Sequence, residues 1–277
     1  MNDQTQPLNV SLANDVLQYL GVEADDPSPD LLDALVAAYI RRVPWESASR
    51  IVRRASTRLT ADCPRWPEIF WTQAMQAGTG GTCYESNYAF FSLLLRLGFD
   101  GYLTVNNMGQ SIGCHTAIVV MFGDDERWLV DVGIPLHVPI PLLADMTTTR
   151  EGPFHTYTIE PAGPHLFQVM RDRHPKPYIF TLIDQPTNNT AYRAVTTADY
   201  DEYGLFLDRV IVTRVVDERV WRFSSESPPY QLESFWQGDA TYRYLGDSVD
   251  AVAQAVADKF RMQEDIVYRA LQYTQSP

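Results

Sequence analysis

The stretch Gly78-Thr79-Gly80-Gly81-Thr82-Cys83-Tyr84-Glu85-Ser86-Asn87 places glycines just before a cysteine, and an apolar run over residues 88–97 follows at once. Glycines permit a tight turn and a close backbone approach. The apolar run predicts a helix that begins near Cys83 and stops at Gly98. A helix N-terminus stabilises a thiolate, which lowers the pKa of a cysteine placed there. The local sequence leaves two interpretations of Cys83 open, a reactive thiol and a small residue buried at a helix start.

The chain before this stretch also predicts helices. Ser28, Pro29 and Asp30 form a helix-start signal, with an N-cap, a proline at the first helical position and an acid in the first turn. Apolar residues then recur at helical spacing up to Ile40, and Pro44 ends the helix. A shorter helix is predicted over residues 12–20. The first 98 residues are therefore expected to be helical.

From about residue 101 onward, short segments rich in β-branched and aromatic residues predict strands. The predicted strands cover residues 102–105, 116–122, 128–132, 154–159, 166–170, 178–183 and 209–216. Gly123-Asp124-Asp125 is a turn signal, so the second and third of these strands are expected to form a hairpin. One amphipathic helix is predicted over residues 248–273. Helices first and strands next indicate an α+β fold.

His115 and Asp131 lie at related places in the predicted hairpin. His115 opens one strand, and Asp131 ends the other. A histidine at a strand start is more often a packed or surface residue, but an acid among apolar strand residues is costly to bury without a partner. Neighbouring strands can bring the two side chains together. Cys83, His115 and Asp131 can then form a nucleophilic triad, although triads are defined by geometry and not by sequence order.

The composition narrows the range of functions. The chain has 277 residues and a formal net charge of -13, and its only lysines are Lys176 and Lys259. This acidity argues against a nucleic-acid-binding protein, although a local arginine pocket for one anionic ligand stays open. No apolar run approaches the length of a membrane span, and the N-terminus has no secretory pattern. Three cysteines without a CxxC pair fit reduced thiols in a cytoplasm.

The histidines are not spaced as metal ligands, so no metal site is predicted. The four histidines outside the candidate triad are expected on loops or on the surface. They are His137, His155, His165 and His174.

Several blocks of the sequence, over roughly residues 8 to 220, resemble the arylamine N-acetyltransferase family. The blocks are Val43-Pro44-Trp45-Glu46-Ser47, Gly80-Gly81-Thr82-Cys83-Tyr84-Glu85-Ser86-Asn87, Cys114-His115-Thr116, Leu129-Val130-Asp131-Val132-Gly133 and the stretch from Phe206 to Arg214. The resemblance implies a cysteine-proteinase-like α+β fold in three parts. A helical domain carrying the nucleophile would cover residues 1–98, a β-barrel carrying the histidine and the acid 99–205, and an α/β lid 206–277.

The resemblance also implies roles for particular residues. Cys83 would be the nucleophile that accepts the acyl group, His115 the base and Asp131 the residue that orients the imidazole. Gly133 and Ile134 would contact the acyl donor. The family performs a ping-pong transfer in which acetyl-CoA is a co-substrate, the acceptor is a small aromatic amine and no cofactor is permanently bound. A cytoplasmic enzyme without nucleic-acid or membrane partners is expected.

Two departures from the family pattern stand out. Thr79 occupies a position where the family usually has an arginine paired with an acid of the helical domain. Glu46 or Glu85 therefore needs another partner, and Arg41 or Arg42 is predicted to supply it. The Phe-Gly that usually follows Asp-Val-Gly is replaced by Ile134-Pro135, which changes the loop that approaches the acyl donor.

Alternatives with the same residues stay open. A relative of amide synthases would take its acyl group from a carrier protein, and a peptidase or transglutaminase would act on an amide. A binding protein would keep the triad as a relic. The sequence does not indicate an oligomeric state.

Overall fold

The computed structural model describes residues 3–123, 126–202, 204–236 and 239–275. The predicted helical character of the first part of the chain is confirmed. Its helices are α1 (Val10–Leu20), α2 (Pro29–Arg42), α3 (Ala48–Ser56), α4 (Pro67–Ala77) and α5 (Cys83–Arg96), with a short 3-10 turn over Thr60–Asp62. The hydroxyl of Ser28 accepts a hydrogen bond from the backbone N–H of Leu31 (3.2 Å), which confirms the predicted start of α2. The sequence did not predict α3 and α4 individually.

The middle of the chain folds into a sheet with the strand order β5-β4-β3-β2-β9-β8-β7-β6. Its strands are β2 (Asp100–Met108), β3 (Ser111–Phe122), β4 (Glu126–Val130), β5 (Ile140–Leu142), β6 (Thr148–Glu151), β7 (Thr156–Gly163), β8 (Leu166–Arg171) and β9 (Tyr178–Ile183). The edge strands β5 and β6 contact each other: the Thr148 hydroxyl of β6 donates a hydrogen bond to the Pro141 carbonyl of β5 (2.8 Å). The sheet is therefore a nearly closed barrel.

The predicted hairpin is confirmed, since β3 and β4 pair antiparallel with Ile118 opposite Val130. Asp124 and Asp125 of its predicted turn lie outside the described residues. Alternate side chains of β3 face opposite sides. Ile118 and Val120 pack in the core that contains the N-terminal helices, whereas Ala117 and Val119 pack inside the barrel. The strand that carries His115 is thus buried on both faces.

A second sheet has the order β1-β10-β11-β12-β13, and all its strands except β1 follow helix α6 (Asn189–Ala198) in the chain. Its strands are β1 (Trp45–Glu46), β10 (Ile211–Val216), β11 (Arg219–Ser224), β12 (Tyr230–Trp236) and β13 (Asp239–Gly246). Trp45 pairs with Thr213, so a short segment after α2 forms the edge of this sheet. Ile51 of α3 also packs in the core behind the sheet. The division at residues 98 and 205 stays a proposal.

The prediction of a single C-terminal helix is wrong. The structure has α7 (Val249–Phe260) and α8 (Glu264–Gln275). Arg261 caps α7 in the left-handed conformation, with φ 57°. The backbone N–H of Gln263 then donates to the Ala77 carbonyl at the end of α4 (2.9 Å). The break lets both helices pack their apolar faces in the core that contains Ile51.

Candidate active site

The glycine turn before Cys83 is held between strand β1 and an arginine. A Cβ atom on Gly80 would lie 1.6 Å from the carbonyl oxygen of Pro44, so only glycine fits there. The N–H of Gly80 donates to the Glu46 carboxylate (3.1 Å), and its carbonyl accepts from Nη2 of Arg65 (2.7 Å). This clamp sets the position at which helix α5 begins.

Arg65 is the partner that the sequence analysis did not find. Its backbone N–H donates to Oε1 of Glu85 (2.7 Å) and its Nε to Oε2 (3.1 Å), and both side chains are at most 1% exposed. Burial alone would raise the pKa of Glu85, but Arg65 outweighs it and holds that pKa below the usual range. Tyr200 donates a further hydrogen bond to Glu85 (2.6 Å).

The prediction that Arg41 or Arg42 pairs with Glu46 or Glu85 is therefore wrong. Arg41 forms an exposed ion pair with Glu218 (2.9 Å), because the end of α2 lies against the C-terminal sheet. Arg42 accepts a hydrogen bond from Tyr19 through its backbone carbonyl (3.0 Å). Glu46 instead accepts from the N–H of Ser49 (2.8 Å) and from the glycine turn.

Cys83 is the first residue of α5 and is 7% exposed. Its Sγ lies 3.8 Å from the carbonyl oxygen of Cys114, the residue before His115. The Thr116 hydroxyl donates to the Cys83 carbonyl (3.2 Å). A Cβ atom on Gly133 would lie 2.5 Å from the Cα of Cys83. The cysteine is therefore enclosed by strand β3 on one side and by the loop after β4 on the other.

His115 and Asp131 meet as the hairpin suggested. Nε2 of His115 lies 2.6 Å from Oδ2 of Asp131, and both side chains are at most 1% exposed. The other carboxylate oxygen, Oδ1, accepts hydrogen bonds from Asn87 Nδ2 (3.0 Å) and from the N–H groups of Gly133 (2.8 Å) and Ile134 (3.0 Å). With both oxygens bonded, Asp131 can fix the orientation of the imidazole through Nε2 and leave Nδ1 free to act as a base.

Asn87 is a further residue that sequence reasoning did not assign. It also bonds the Thr116 carbonyl (2.7 Å) and the Val132 N–H (3.0 Å), so one amide connects α5, β3 and the loop after β4. Its position four residues after Cys83 puts both on one helix face, which is a signal that the sequence contained. We call Cys83, Asn87, His115, Thr116 and Asp131 the Cys83 network.

The protonation of Cys83 differs from the prediction. Burial raises the pKa of the thiol, and the negative charges of Asp199 and Asp131 raise it further. Arg50 lowers it, but Arg50 is paired with Asp199 (2.8 Å). The prediction of a lowered pKa rested on the helix N-terminus and did not include these carboxylates. This shift favours the protonated thiol, so a base is needed to take its proton during reaction.

A cavity of about 440 Å³ lies beside the Cys83 network, between the barrel and the C-terminal sheet. We call it the histidine cleft. Its walls combine three histidines with aromatic, proline and basic side chains. They are Trp45, Gly133, Ile134, Pro135, His137, His155, Arg171, His174, Pro175, Lys176, Thr213, Val220, Arg222 and Phe235. Gly133 lines this cleft and packs on the Cys83 backbone, so the inner end of the cleft lies one residue from the cysteine.

Two of the histidines expected on loops or the surface are buried instead. His137 and His155 are 6% and 9% exposed. The loop between β4 and β5, which carries His137, and the residue just before β7, His155, fold under the C-terminal sheet. Burial lowers the pKa of His137 to about 3 and that of His174 to about 4, and it lowers the pKa of His155. All three are neutral at pH 7. His165 is exposed on the turn between β7 and β8, as predicted.

Within the described ranges, no group of three or more histidine, cysteine, aspartate or glutamate side chains is arranged to hold a metal ion. Among the helices of the same ranges, none has the length and apolar character of a membrane span.

Comparison with known proteins agrees with these observations. The N-acetyltransferase family model matches residues 30–263. The chain belongs to this family. This confirms the predicted resemblance to the arylamine N-acetyltransferases, and the low identity to the solved relatives fits a divergent member. No curated protein sequence matches the chain significantly.

Three solved structures illustrate the shared N-acetyltransferase fold. The enzyme of Mycobacterium smegmatis is 20% identical, with a TM-score of 0.78 over 94% of this chain and 97% of that one. The Mycobacterium marinum enzyme, solved in complex with CoA, is 17% identical with a TM-score of 0.76 over 92% and 96%. A Bacillus cereus enzyme described with a Cys-His-Glu triad is 17% identical, with a TM-score of 0.73 over 92% and 100%. The cysteine-proteinase-like α+β fold predicted from the sequence is confirmed.

Proposed function

We propose that the protein transfers an acetyl or other small acyl group from acyl-CoA to the nitrogen of an arylamine or arylhydrazine, through a thioester on Cys83. The observation that carries the proposal is the buried His115–Asp131 pair (2.6 Å), linked through Asn87 and Thr116 to the start of α5, where Cys83 lies. Such an arrangement supplies a base of fixed orientation beside a thiol.

In the first half-reaction His115 takes the proton of the neutral Cys83 thiol as Sγ attacks the thioester carbonyl of the donor. The carbon–sulfur bond to CoA breaks, and the imidazolium returns the proton to the CoA thiolate. Asp131 stabilises the imidazolium that forms in between. One thioester replaces another, so the exchange is nearly isoenergetic.

In the second half-reaction the amine nitrogen attacks the carbonyl of the acylated Cys83. His115 accepts the proton that the nitrogen loses and gives it to the departing cysteine sulfur. An aromatic amine is weakly basic and neutral at pH 7, so it can attack without prior deprotonation. The product is an amide, and the free thiol is regenerated.

The histidine cleft is the proposed entrance for both substrates. Gly133 packs on the Cys83 backbone and, with Ile134, forms the inner end of the cleft, which supports their assignment as donor contacts. The neighbouring structure from Mycobacterium marinum was determined with CoA, which is consistent with acyl-CoA as the donor.

Steady-state kinetics test the proposed function. Acetylation of an aromatic amine by acetyl-CoA is expected to give parallel lines in double-reciprocal plots at several fixed acceptor concentrations, because CoA leaves before the amine reacts. Intersecting lines would contradict the covalent intermediate. Activity that survives Cys83→Ala would contradict the assignment of the nucleophile.

A second candidate keeps the Cys83 network and changes the donor. Ile134 and Pro135 line the cleft in place of the family's usual Phe-Gly, so the donor contact differs from the family pattern. An amide-synthase-like enzyme would take the acyl group from a carrier protein. Transfer from an acyl-carrier thioester, together with failure of acetyl-, propionyl- and malonyl-CoA, would favour this candidate over the first.

A further inference from the structure

A second pocket, of about 290 Å³, lies on the face of strand β10 that is turned away from the histidine cleft. Successive side chains of a strand point to opposite faces, so Thr213 lines the cleft whereas Arg214 lines this pocket. The ends of α2, α4 and α7 meet here, and three arginines line the wall: Arg42, Arg214 and Arg261. We call it the arginine pocket. Among the described residues, none lines both it and the histidine cleft, so the two sites are separate.

Arg214 is the buried positive charge of the arginine pocket. It is 7% exposed, and its guanidinium donates two hydrogen bonds to the carbonyl of Arg41 (2.9 and 2.7 Å) and one to that of Phe260. A guanidinium has five N–H groups, so two of them have no partner in the described part of the chain. Burial, together with the charges of Arg261 and Arg42, lowers the pKa of Arg214 to about 10. A buried guanidinium is costly unless an anion pairs with it.

Arg42 and Arg261 are the exposed arginines of the pocket. Their side chains form no hydrogen bond and no ion pair with the residues that the structure describes, although the formal net charge of the chain is -13. Positive charge is favourable at helix C-termini, but the Arg214 guanidinium already bonds the carbonyls at the ends of α2 and α7. The two exposed guanidiniums are therefore left for a ligand.

The backbone fixes the position of Arg261 in this wall. Its φ is 57°, in the left-handed region where a helix end usually has glycine or asparagine. A Cβ atom on Gly78 would lie 1.9 Å from the carbonyl oxygen of Arg261, so the ends of α4 and α7 touch through their backbones. Placing an arginine in a conformation that favours glycine indicates that its side chain has a role in the pocket.

We propose that the arginine pocket binds a small anion that carries a diphosphate group, at a site separate from that of acyl transfer. Three guanidiniums supply three positive charges, whereas a single phosphate group carries about -1.5 to -2, so two phosphoryl groups match the pocket. Arginine also binds phosphate oxygens through paired hydrogen bonds. The volume is at the lower end of the range of small-molecule pockets, which favours a compact ligand.

Calorimetric titration with inorganic pyrophosphate, without acetyl-CoA, tests the inference. The ionic strength is held constant, because salt screens exposed charges. One pyrophosphate is expected to bind per chain, roughly tenfold or more tightly than inorganic phosphate. The double variant Arg42→Gln/Arg261→Gln is expected to weaken binding roughly ten- to hundredfold, the difference that hydrogen bonds to charged groups make. The control Arg58→Gln/Arg243→Gln removes the same charge from exposed positions outside the pocket and should bind as the unmodified protein does.

Absence of pyrophosphate binding, or equal affinity for phosphate and pyrophosphate, would overturn the inference. So would binding that is unchanged in Arg42→Gln/Arg261→Gln, since the anion would then lie elsewhere. CoA itself carries a diphosphate. If CoA displaced pyrophosphate and the double variant raised the KM for acetyl-CoA, the pocket would belong to the donor site, which also overturns the inference. Failure of acyl transfer alone would contradict the proposed function but not the binding result.

Discussion

The Cys83 network and the histidine cleft lie side by side, but they differ in how far the protein supplies hydrogen-bond partners for their charged groups. In the network, the Asp131 carboxylate accepts hydrogen bonds from His115, Asn87 and two backbone N–H groups. In the cleft, Arg171 has a buried nitrogen with no partner. The protein itself bonds both carboxylate oxygens of the network, whereas it leaves this nitrogen in the cleft wall without a partner.

The largest effect is expected from breaking the network at His115. His115→Gln removes the proposed base for the Cys83 thiol, and we expect acyl transfer to fall by roughly a thousandfold or more. Asp131→Asn is expected to cost roughly a hundred- to ten-thousandfold, because the amide can fix the wrong tautomer. Single-turnover rates with acetyl-CoA measure both. His165→Gln, on an exposed turn, is the control, and a loss equal to that of His115→Gln would show that the effect is not local.

The next largest effect is expected at the buried Arg65–Glu85 ion pair, which holds the glycine turn before Cys83. Arg65→Gln leaves the buried Glu85 without its cation, and we expect a loss of about 3–5 kcal/mol in the free energy of unfolding. Arg173→Gln removes an exposed arginine from its ion pair with Asp172 and should cost less than about 1 kcal/mol. Urea denaturation measures both. Equal losses would contradict the view that Arg65 replaces the arginine absent at position 79.

The stability of the cleft is expected to depend on pH. Burial gives folded His137 a pKa of about 3, below the usual value of about 6.5. Between these values the unfolded chain binds more protons, so stability is full above about pH 6.5 and falls as the pH drops. At about pH 5 the buried, neutral state of this histidine lowers the free energy of unfolding by on the order of 2 kcal/mol.

Urea unfolding at about pH 7 and about pH 5 measures this loss. His137→Asn should lose less stability between the two pH values than the unmodified chain does, and His165→Asn should lose as much as the unmodified chain. A loss unchanged by His137→Asn would show that groups outside the cleft cause the acid sensitivity.

A smaller effect is expected at Asp199, which lies outside both regions but acts on the thiol. Asp199→Asn removes a negative charge that raises the pKa of Cys83, so iodoacetamide should alkylate the cysteine about three- to tenfold faster near pH 8. Asp208→Asn, an exposed change, should leave the rate unaltered. A slower reaction in Asp199→Asn would mean that the carboxylate does not act on the thiol through its charge.

Much of the network could be predicted from the sequence, because each member sits in a block with its own signal. The glycines and the apolar run locate the start of α5, and the hairpin brings His115 toward Asp131. Arg65 could not be predicted, since it lies in a loop with no pattern and meets Glu85 only when α4 packs beside α5. The direction of the pKa shift of Cys83 could not be predicted either, because Asp199, which contributes to it, comes from a distant part of the chain.

The cleft was less predictable than the network for a physical reason. Its histidines come from separate segments of the barrel, and each alone resembles a loop residue. They become buried only because strands β10 to β12 cover them. Most of that sheet lay outside the predicted strands, so the sequence could not show which side chains it would enclose. The break between α7 and α8 at Arg261 could not be predicted for the same reason, because it depends on a contact with the distant helix α4.

The most direct test of the central claim is intact-mass spectrometry of the protein after incubation with acetyl-CoA and no amine. The account predicts that the mass rises by one acetyl group, that an equal amount of CoA is released, and that peptide mapping places the acetyl group on Cys83. Cys83→Ala should show neither change, and adding an aromatic amine should remove the label. CoA release without an adduct, or an adduct that persists in Cys83→Ala, would contradict the account.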